Sequence, residues 1–399
     1  MRYLKALHLS RVKKIMNVKK IMNVMLFMML LQEAATSSLT VTDLNGTVVF
    51  SPGLGGVPNY RIPAIVQTTG SPPALVAFAE ARNGSDDTAS RIAVRTSNDG
   101  GVTWSAVVFA AGSLNSSASR AACAKDNFTH CRVGNPAAVF DAASGGVVLA
   151  FVVRGFLAAE DAIGNGISIS ADGGKTWGKP IDVSASFAGK PTAGNQVAGM
   201  PGPGTALLLA RGPKKGRLLI PSYHPYAFAS VTVSDDNGAT WRTTNQTFSR
   251  MGESALTQLP NGSVLLSMRR SPQLPRTGGR AVAVSNDGGD TFGPISFDGP
   301  IGNPICQGSI VSFGGATYFS SPAQESSRGN LTIKKSTDNA ATWGKSLLVQ
   351  AGNSAGYSCL VKGGISGGPG GEASTDGGIL YEAADGSIKF SRFPLSLDL

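Results

Sequence analysis

Several charged or phenolic side chains sit in this sequence where an apolar strand would not place them. Arg61 interrupts the strand-like start Asn59-Tyr60-Arg61-Ile62-Pro63. Arg82 ends the run Ala77-Phe78-Ala79-Glu80-Ala81-Arg82, and the adjacent acids Asp86 and Asp87 follow it in a loop. Glu253 precedes an apolar segment, Arg269 and Arg270 end the run from Val264 to Met268, and Arg328 lies eight residues before Ser336. Tyr357 follows Gly356, and Glu382 follows Leu380-Tyr381. Arginine is a permanent cation whose planar fork binds a carboxylate through two hydrogen bonds, so a group of arginines suits an anionic ligand. A phenol stays neutral until a nearby carboxylate takes its proton, which makes tyrosine a nucleophile that an anionic ligand does not repel. Asp and Glu supply proton transfer. Each residue also has an ordinary reading, as a surface arginine, a solvated turn acid or a packed aromatic, so only their joint arrangement carries weight. The three His and four Cys (Cys123, Cys131, Cys306, Cys359) form no ligand cluster, so no metal or cofactor is implied.

The elements that must position these residues are legible in a repeat. Ser-x-Asp-x-Gly-x-Thr-Trp occurs from Ser97, Ser170 and Ser234, with variant copies from Ser285, ending in Phe292, and from Ser336, with Ala340 at the glycine position. Ser and Asp bond to turn backbone, the glycine takes a left-handed conformation, and the aromatic anchors the corner beneath. A strand-like run precedes each copy, for example Ile92-Ala93-Val94-Arg95-Thr96. The starts are 73, 64, 51 and 51 residues apart, about the length of a four-stranded propeller blade with loops. The repeats mark turns and carry no chemistry themselves. Fifty-one glycines in 399 residues, with abundant Ser, Thr and Val, also favour short strands and tight turns over a helical bundle.

The repeat resembles the Asp box, and with it the chain resembles the sialidase (neuraminidase) family. The resemblance spans roughly residues 50–393. It implies an all-β fold, a six-bladed β-propeller of four-stranded antiparallel blades, with five boxes leaving at least one blade unmarked. It implies an exo-alpha-sialidase that releases terminal sialic acids from glycoproteins, glycolipids or oligosaccharides, with no cofactor. Asn59-Tyr60-Arg61-Ile62-Pro63, Val264 to Ser271 and the block around Arg328 are similar to the segments bearing the family's three carboxylate-binding arginines, which places Arg61, Arg269 and Arg328 in that role.

The same resemblance makes Arg82 a sugar-binding arginine and a loop Asp the acid/base. Family spacing of eleven residues to the first box selects Asp86, with Asp87 as the fallback, although Thr88-Ala89 replaces the family's usual continuation. Glu253 takes the place of the base that draws the proton from the nucleophile Tyr357, and Glu382 that of the acid holding Arg61. Arg270 should face away from Arg269, because strand side chains alternate. Transfer to a sugar acceptor, preference for a deaminated sialic acid, and a non-catalytic binding propeller are the other readings. For the second of these, Tyr223 and His224 are candidates to line the pocket for the C5 substituent, or to have a structural role.

The charge balance is uneven. The chain has 35 Lys+Arg against 25 Asp+Glu, a net +10, but residues 1–32 carry seven of those basic groups and no acid. Removing seven of the ten leaves +3, which argues against nucleic acid as the partner. The order basic, then apolar (Val24 to Leu31), then small (Ala34, Ala35) is that of a secretory signal, with an anchor or an upstream start as alternatives. Residues 1–38 are accordingly expected to be a targeting segment and 39–399 the catalytic domain, secreted or in the secretory lumen and without a stable membrane span. Seven N-x-[ST] sequons fit a glycoprotein, and Cys123 with Cys131 are the only pair near enough in sequence to point to a loop disulfide.

Overall fold

The computed structural model describes residues 44–70, 73–86, 88, 90–111, 132–154, 162–187, 199–224, 228–272, 274, 279–302, 304–324, 327–353, 356–362 and 375–398. The expected leader (1–38), Asp87, Cys123 and Cys131 lie outside the described residues. No helix among the described residues is long and apolar enough to cross a membrane.

The fold is an all-β propeller, with one four-residue helix, Ser184–Phe187, and a single 3-10 turn among the described residues. Six four-stranded antiparallel blades are not what the strands form. Among the described residues they join into five hydrogen-bonded sheets, of which only three have four strands. One contains Met251–Gln258, Val264–Arg270, Arg280–Ser285 and Ser296–Asp298, and the next Ser309–Phe313, Ala316–Pro322, Gly329–Ser336 and Ser346–Asn353. The third pairs the early strand Thr47–Phe50 with Ile388–Pro394, which continues through Asp376–Glu382 to Ser358–Val361. A fourth sheet has six strands, because the short strands Met200–Pro201, Leu207–Leu208, Arg242–Thr243 and Phe248–Ser249 add to the pair Leu218–His224 and Phe228–Ser234. The fifth has nine. There Ser90–Ser97 meets Arg132–Asp141 in one parallel pairing, Ser90 with Arg132, which fuses two antiparallel sets, and Gly204–Thr205 adds a second parallel contact. Two loop-end pairings that the repeat does not encode thus change the sheet count and break the antiparallel rule.

The five boxes fold alike. In the first, Ser97 Oγ donates to Asp99 Oδ1 at 2.7 Å and accepts the Gly101 N–H at 2.8 Å, while the Asp99 carboxylate accepts the Thr103 N–H at 2.9 Å. The same bonds recur from Ser170, Ser234, Ser285 and Ser336. The Thr176 hydroxyl and backbone hold the Asp172 carboxyl at about 2, so it is ionised at neutral pH. Each terminal aromatic packs on a ring from elsewhere in the chain: Trp104 on Phe390, Trp177 on Phe78, Trp241 on Phe187 of the short helix, Phe292 on Phe248 and Trp343 on Phe319, with centroids 5.6–6.4 Å apart.

The first box also locks the closing sheet, since Arg392 Nε donates to Gly100 O at 2.9 Å. Gly101 has φ 89°, and a Cβ there would lie 2.3 Å from the Phe390 ring. Ala340 shows that left-handed backbone alone is tolerated at this box position, with φ 64°. The clash is the larger penalty at Gly101. Gly101→Ala is expected to cost about 2–4 kcal/mol, from overpacking plus the left-handed backbone. Urea unfolding of the two proteins measures it, and an unchanged midpoint would contradict the packing described.

Candidate active site

The inner strands Asn59–Gln67, Arg132–Asp141, Met251–Gln258, Ser309–Phe313 and Ser358–Val361 crowd around the centre, and the residues at one end of them converge on a cavity of about 290 Å³. The backbone there is irregular in a consistent way. Pairing slips between Arg61 and Ala64, between Gly134 and Ala137, and between Met251 and Ser254. Ile62 (φ 60°) and Asn135 (φ 53°) are left-handed at two of these slips, and Ile305 (φ 54°) repeats the conformation next to the cavity. A β-branched residue rarely adopts this backbone, and such strain collects at functional sites. Here it turns the Ile62 N–H onto Glu382 Oε1, at 2.9 Å.

Glu382 is the hub of one wall. It is 2% exposed and takes Arg61 through both oxygens, Nε to Oε1 at 3.0 Å and Nη2 to Oε2 at 3.2 Å, and it also accepts the Tyr357 N–H at 3.2 Å. The remaining Arg61 nitrogen, Nη1, donates to Asp86 Oδ1 at 3.0 Å. The Arg61 and Arg328 guanidiniums lie 5.4 and 5.5 Å from the centroid of the Tyr357 ring. Such cation–π contacts fix a ring in place. Arg328 Nη2 donates to Ile305 O at 3.2 Å.

Tyr357 and Glu253 meet at the cavity floor. The Tyr357 hydroxyl donates to Glu253 Oε1, and Arg269 Nη1 donates to Glu253 Oε2 at 2.6 Å and to the Tyr357 oxygen at 3.3 Å. Burial, and then the adjacent Glu253 carboxylate, push the Tyr357 phenol well above its ordinary value, with Arg269 opposing them. The phenol is therefore neutral at rest, with its proton pointed at a base. Arg270 faces the other way, as strand alternation predicts: Nη1 donates to Gly279 O at 3.1 Å, and its guanidinium lies over Phe297.

On the opposite wall, the wholly buried strand Leu75–Arg82 carries Glu80 and Arg82, which pair with each other at 2.5 Å. Arg82 Nη1 also donates to Asp86 Oδ1. The Asp86 side chain is 68% exposed, at the cavity mouth. Against the upward push of partial burial, Arg82 and Arg61 hold the Asp86 carboxyl below its ordinary value. Of the two predicted candidates for C5 recognition, Tyr223 lines the cavity and accepts Asn135 Nδ2 at 3.0 Å. His224 packs on the Phe228 ring, 4.1 Å between centroids.

All eight residues expected from the sequence thus form one connected set. Others were not foreseen. Arg132 and Arg154 line the cavity, Glu80 orients Arg82, and the fully buried Arg280 donates to Cys306 O and Ser267 Oγ beneath Glu253. The signal for Arg132 and Arg154 is a charge at the end of a largely apolar strand. The free thiol of Cys306 is buried against Tyr357 and Ile62, and burial raises it to about 12. No cluster of three or more His, Cys, Asp or Glu suited to a metal occurs among the described residues. A larger cavity, about 400 Å³, opens at the other ends of the same strands, but Arg211 and Lys362 are its only charged lining residues among those described. Among the described residues it offers no carboxylate and no tyrosine, so its size alone does not make it the reactive site.

Known proteins carry the same architecture. Residues 70–366 match the model of the BNR repeat-like domain. A sialidase from Micromonospora viridifaciens is 31% identical over 374 residues, covering 86% of this chain and 53% of that protein. A Hadza microbial sialidase structure superposes with a TM-score of 0.75 at 25% identity, over 89% of this chain and 69% of the other. A leech intramolecular trans-sialidase shares the fold, with a TM-score of 0.68 at 18% identity, over 90% of this chain and 71% of the other. The chain spans about half the length of the curated relatives it matches. With a BNR-repeat match over most of its length and sialidases among both its sequence relatives and its structural neighbours, the chain belongs to the sialidase family.

Proposed function

We propose that the chain is an exo-acting, retaining sialidase, a glycoside hydrolase that releases terminal sialic acid from sialylated glycans. The observation that carries this reading is the Tyr357 hydroxyl, hydrogen-bonded to Glu253 and enclosed by Arg61, Arg269 and Arg328. A sialic acid bears its carboxylate on the reacting carbon, and three arginine forks around an uncharged nucleophile suit that group.

In the reaction, the arginines hold the carboxylate and Asp86 gives its proton to the glycosidic oxygen as that bond breaks. Tyr357 Oη bonds to the anomeric carbon while its proton passes to Glu253. In the second half, Asp86 takes a proton from water, the water oxygen replaces Tyr357 on the carbon, and Glu253 returns the proton to the phenolate. Two displacements retain the configuration. The apolar leader and the sequons support placing the enzyme in the secretory route.

Asp86 must be protonated for the first step, yet in the free site its two arginines keep it ionised. The arriving carboxylate draws Arg61 toward itself, leaves Asp86 one cation poorer and raises its pKa. The alkaline limb of kcat is therefore expected at higher pH than the limb of kcat/KM, which reports the free site. Release of sialic acid from a fluorogenic sialoside across pH tests both statements. Coincident limbs would refute the Arg61 exchange, and no release at any pH would refute the sialidase reading. The product separates hydrolysis from intramolecular transfer.

A further inference from the structure

Among the described residues two arginines are fully buried, and their surroundings differ. Arg217, 1% exposed, has two carboxylates, Asp235 at 2.7 Å and Asp290 at 2.8 Å. Arg280, also 1% exposed, bonds only to neutral oxygens: Nε to Ser267 Oγ at 2.8 Å, Nη1 to Cys306 O at 3.1 Å and Nη2 to the backbone Glu253 O at 3.4 Å. Asp298, its directly paired neighbour on the next strand, accepts Trp343 Nε1 at 2.5 Å instead. The Arg280 guanidinium lies 5.4 Å from the centroid of the Phe319 ring. Burial, with Cys306 and Glu253 opposing it, lowers the group to about 10, so it stays a cation at neutral pH. A buried cation without a directly paired carboxylate is a cost to the fold.

Its three bonds place that cation under the reacting groups. Ser267 stands two residues before Arg269, on the same strand face. The Glu253 carbonyl lies in the pairing slip between Met251 and Ser254. Cys306 follows Ile305, whose carbonyl holds Arg328, and its thiol donates to Gly356 O at 3.3 Å, just ahead of Tyr357. One charge therefore sits beneath the segments that carry Glu253, Arg269, Arg328 and Tyr357.

The two displacements respond to such a charge in opposite ways. In the first, Glu253 takes the phenol proton and Tyr357 Oη bonds to the anomeric carbon, so the pair goes from one negative charge to none. In the second, Asp86 takes a proton from water and the water oxygen replaces Tyr357 on the carbon. The electron pair of the broken bond returns to Tyr357 Oη, which recovers its proton from Glu253, and the pair regains its negative charge. A fixed cation beneath the pair opposes the first change and favours the second. We propose that Arg280 is a positioning residue for the second displacement, its buried charge drawing the electron pair back onto Tyr357 so that the sugar is freed. The inference rests on the sialidase reading and assigns the group that shortens the life of the covalent intermediate.

The test uses an aryl sialoside with a good leaving group, for which the first displacement is fast and the second limits kcat. In Arg280→Gln, kcat is expected to fall about tenfold, less than the roughly 10²–10³ of a donor that touches the reacting oxygen, because Arg280 acts from behind the floor. The ratio kcat/KM ends at the first displacement and should stay within about threefold, so KM falls along with kcat. KM does not depend on how much of a sample is folded. Intact-mass analysis after an acid quench should also find the sialyl adduct on a larger fraction of chains than in the wild type. Arg280→Lys keeps the charge, and its kcat and KM are expected to lie within about threefold of the wild type. An unchanged or raised KM in Arg280→Gln would overturn the proposal and leave Arg280 a purely structural role. Should Arg280→Gln not fold, Arg280→Lys decides, and a joint loss of kcat and kcat/KM beyond that range would overturn it. No release of the aryl group by the wild type would overturn the sialidase reading and this inference with it.

Discussion

Tyr357→Phe is expected to lower kcat for sialoside hydrolysis by at least about 10³-fold while leaving the protein folded. The substitution removes one oxygen. The ring keeps its place between the Arg61 and Arg328 guanidiniums, and the Tyr357 N–H still binds Glu382 at 3.2 Å. Glu253 keeps its ion pair with Arg269 at 2.6 Å, so the buried carboxylate is not stranded. The loss therefore falls on the chemical step, and KM should move little by comparison. Steady-state kinetics with matched thermal unfolding curves measure both quantities. A fall of less than tenfold in a folded protein would remove Tyr357 from the role of nucleophile.

Arg61→Ala is the second large effect, with an expected fall of roughly 10²–10³ in kcat/KM, about 2.7–4 kcal/mol, the range for removing one group that stabilises charge at the reacting centre. Arg61 joins two groups. Its Nε and Nη2 lie against Glu382 and its Nη1 against Asp86, so its removal loosens the clamp and strips the acid of one cation. Arg61→Lys should recover little, because a point charge cannot span both oxygens of Glu382 and still reach the ligand. A lysine variant within threefold of wild type would show that charge, not the planar fork, is what the site uses.

These contacts also show what was legible in the sequence. The boxes were, because each is a local turn whose Ser, Asp, Gly and Thr bond to one another within seven residues. The side chains of the site were legible through their order along the chain. The blade count was not. It was altered by pairings far apart in sequence, such as Ser90 with Arg132, and no local pattern encodes them. The left-handed backbones at Ile62 and Ile305 were hidden for a different reason: isoleucine is a residue that signals extended strand, and only the surrounding bonds, here Ile62 N–H to Glu382, hold it otherwise. Arg132 and Arg154 were not legible because neither sits in a repeat or a motif, and their adjacency exists only once the two strands pair.

The central claim is that Tyr357 bonds to the anomeric carbon. Proton NMR of the sugar first released from an α-sialoside, recorded before mutarotation, tests it most directly. Double displacement through Tyr357 predicts that the α-anomer appears first and decays to the equilibrium mixture. First appearance of the β-anomer would mean that water attacks in a single displacement, and would contradict a covalent role for Tyr357.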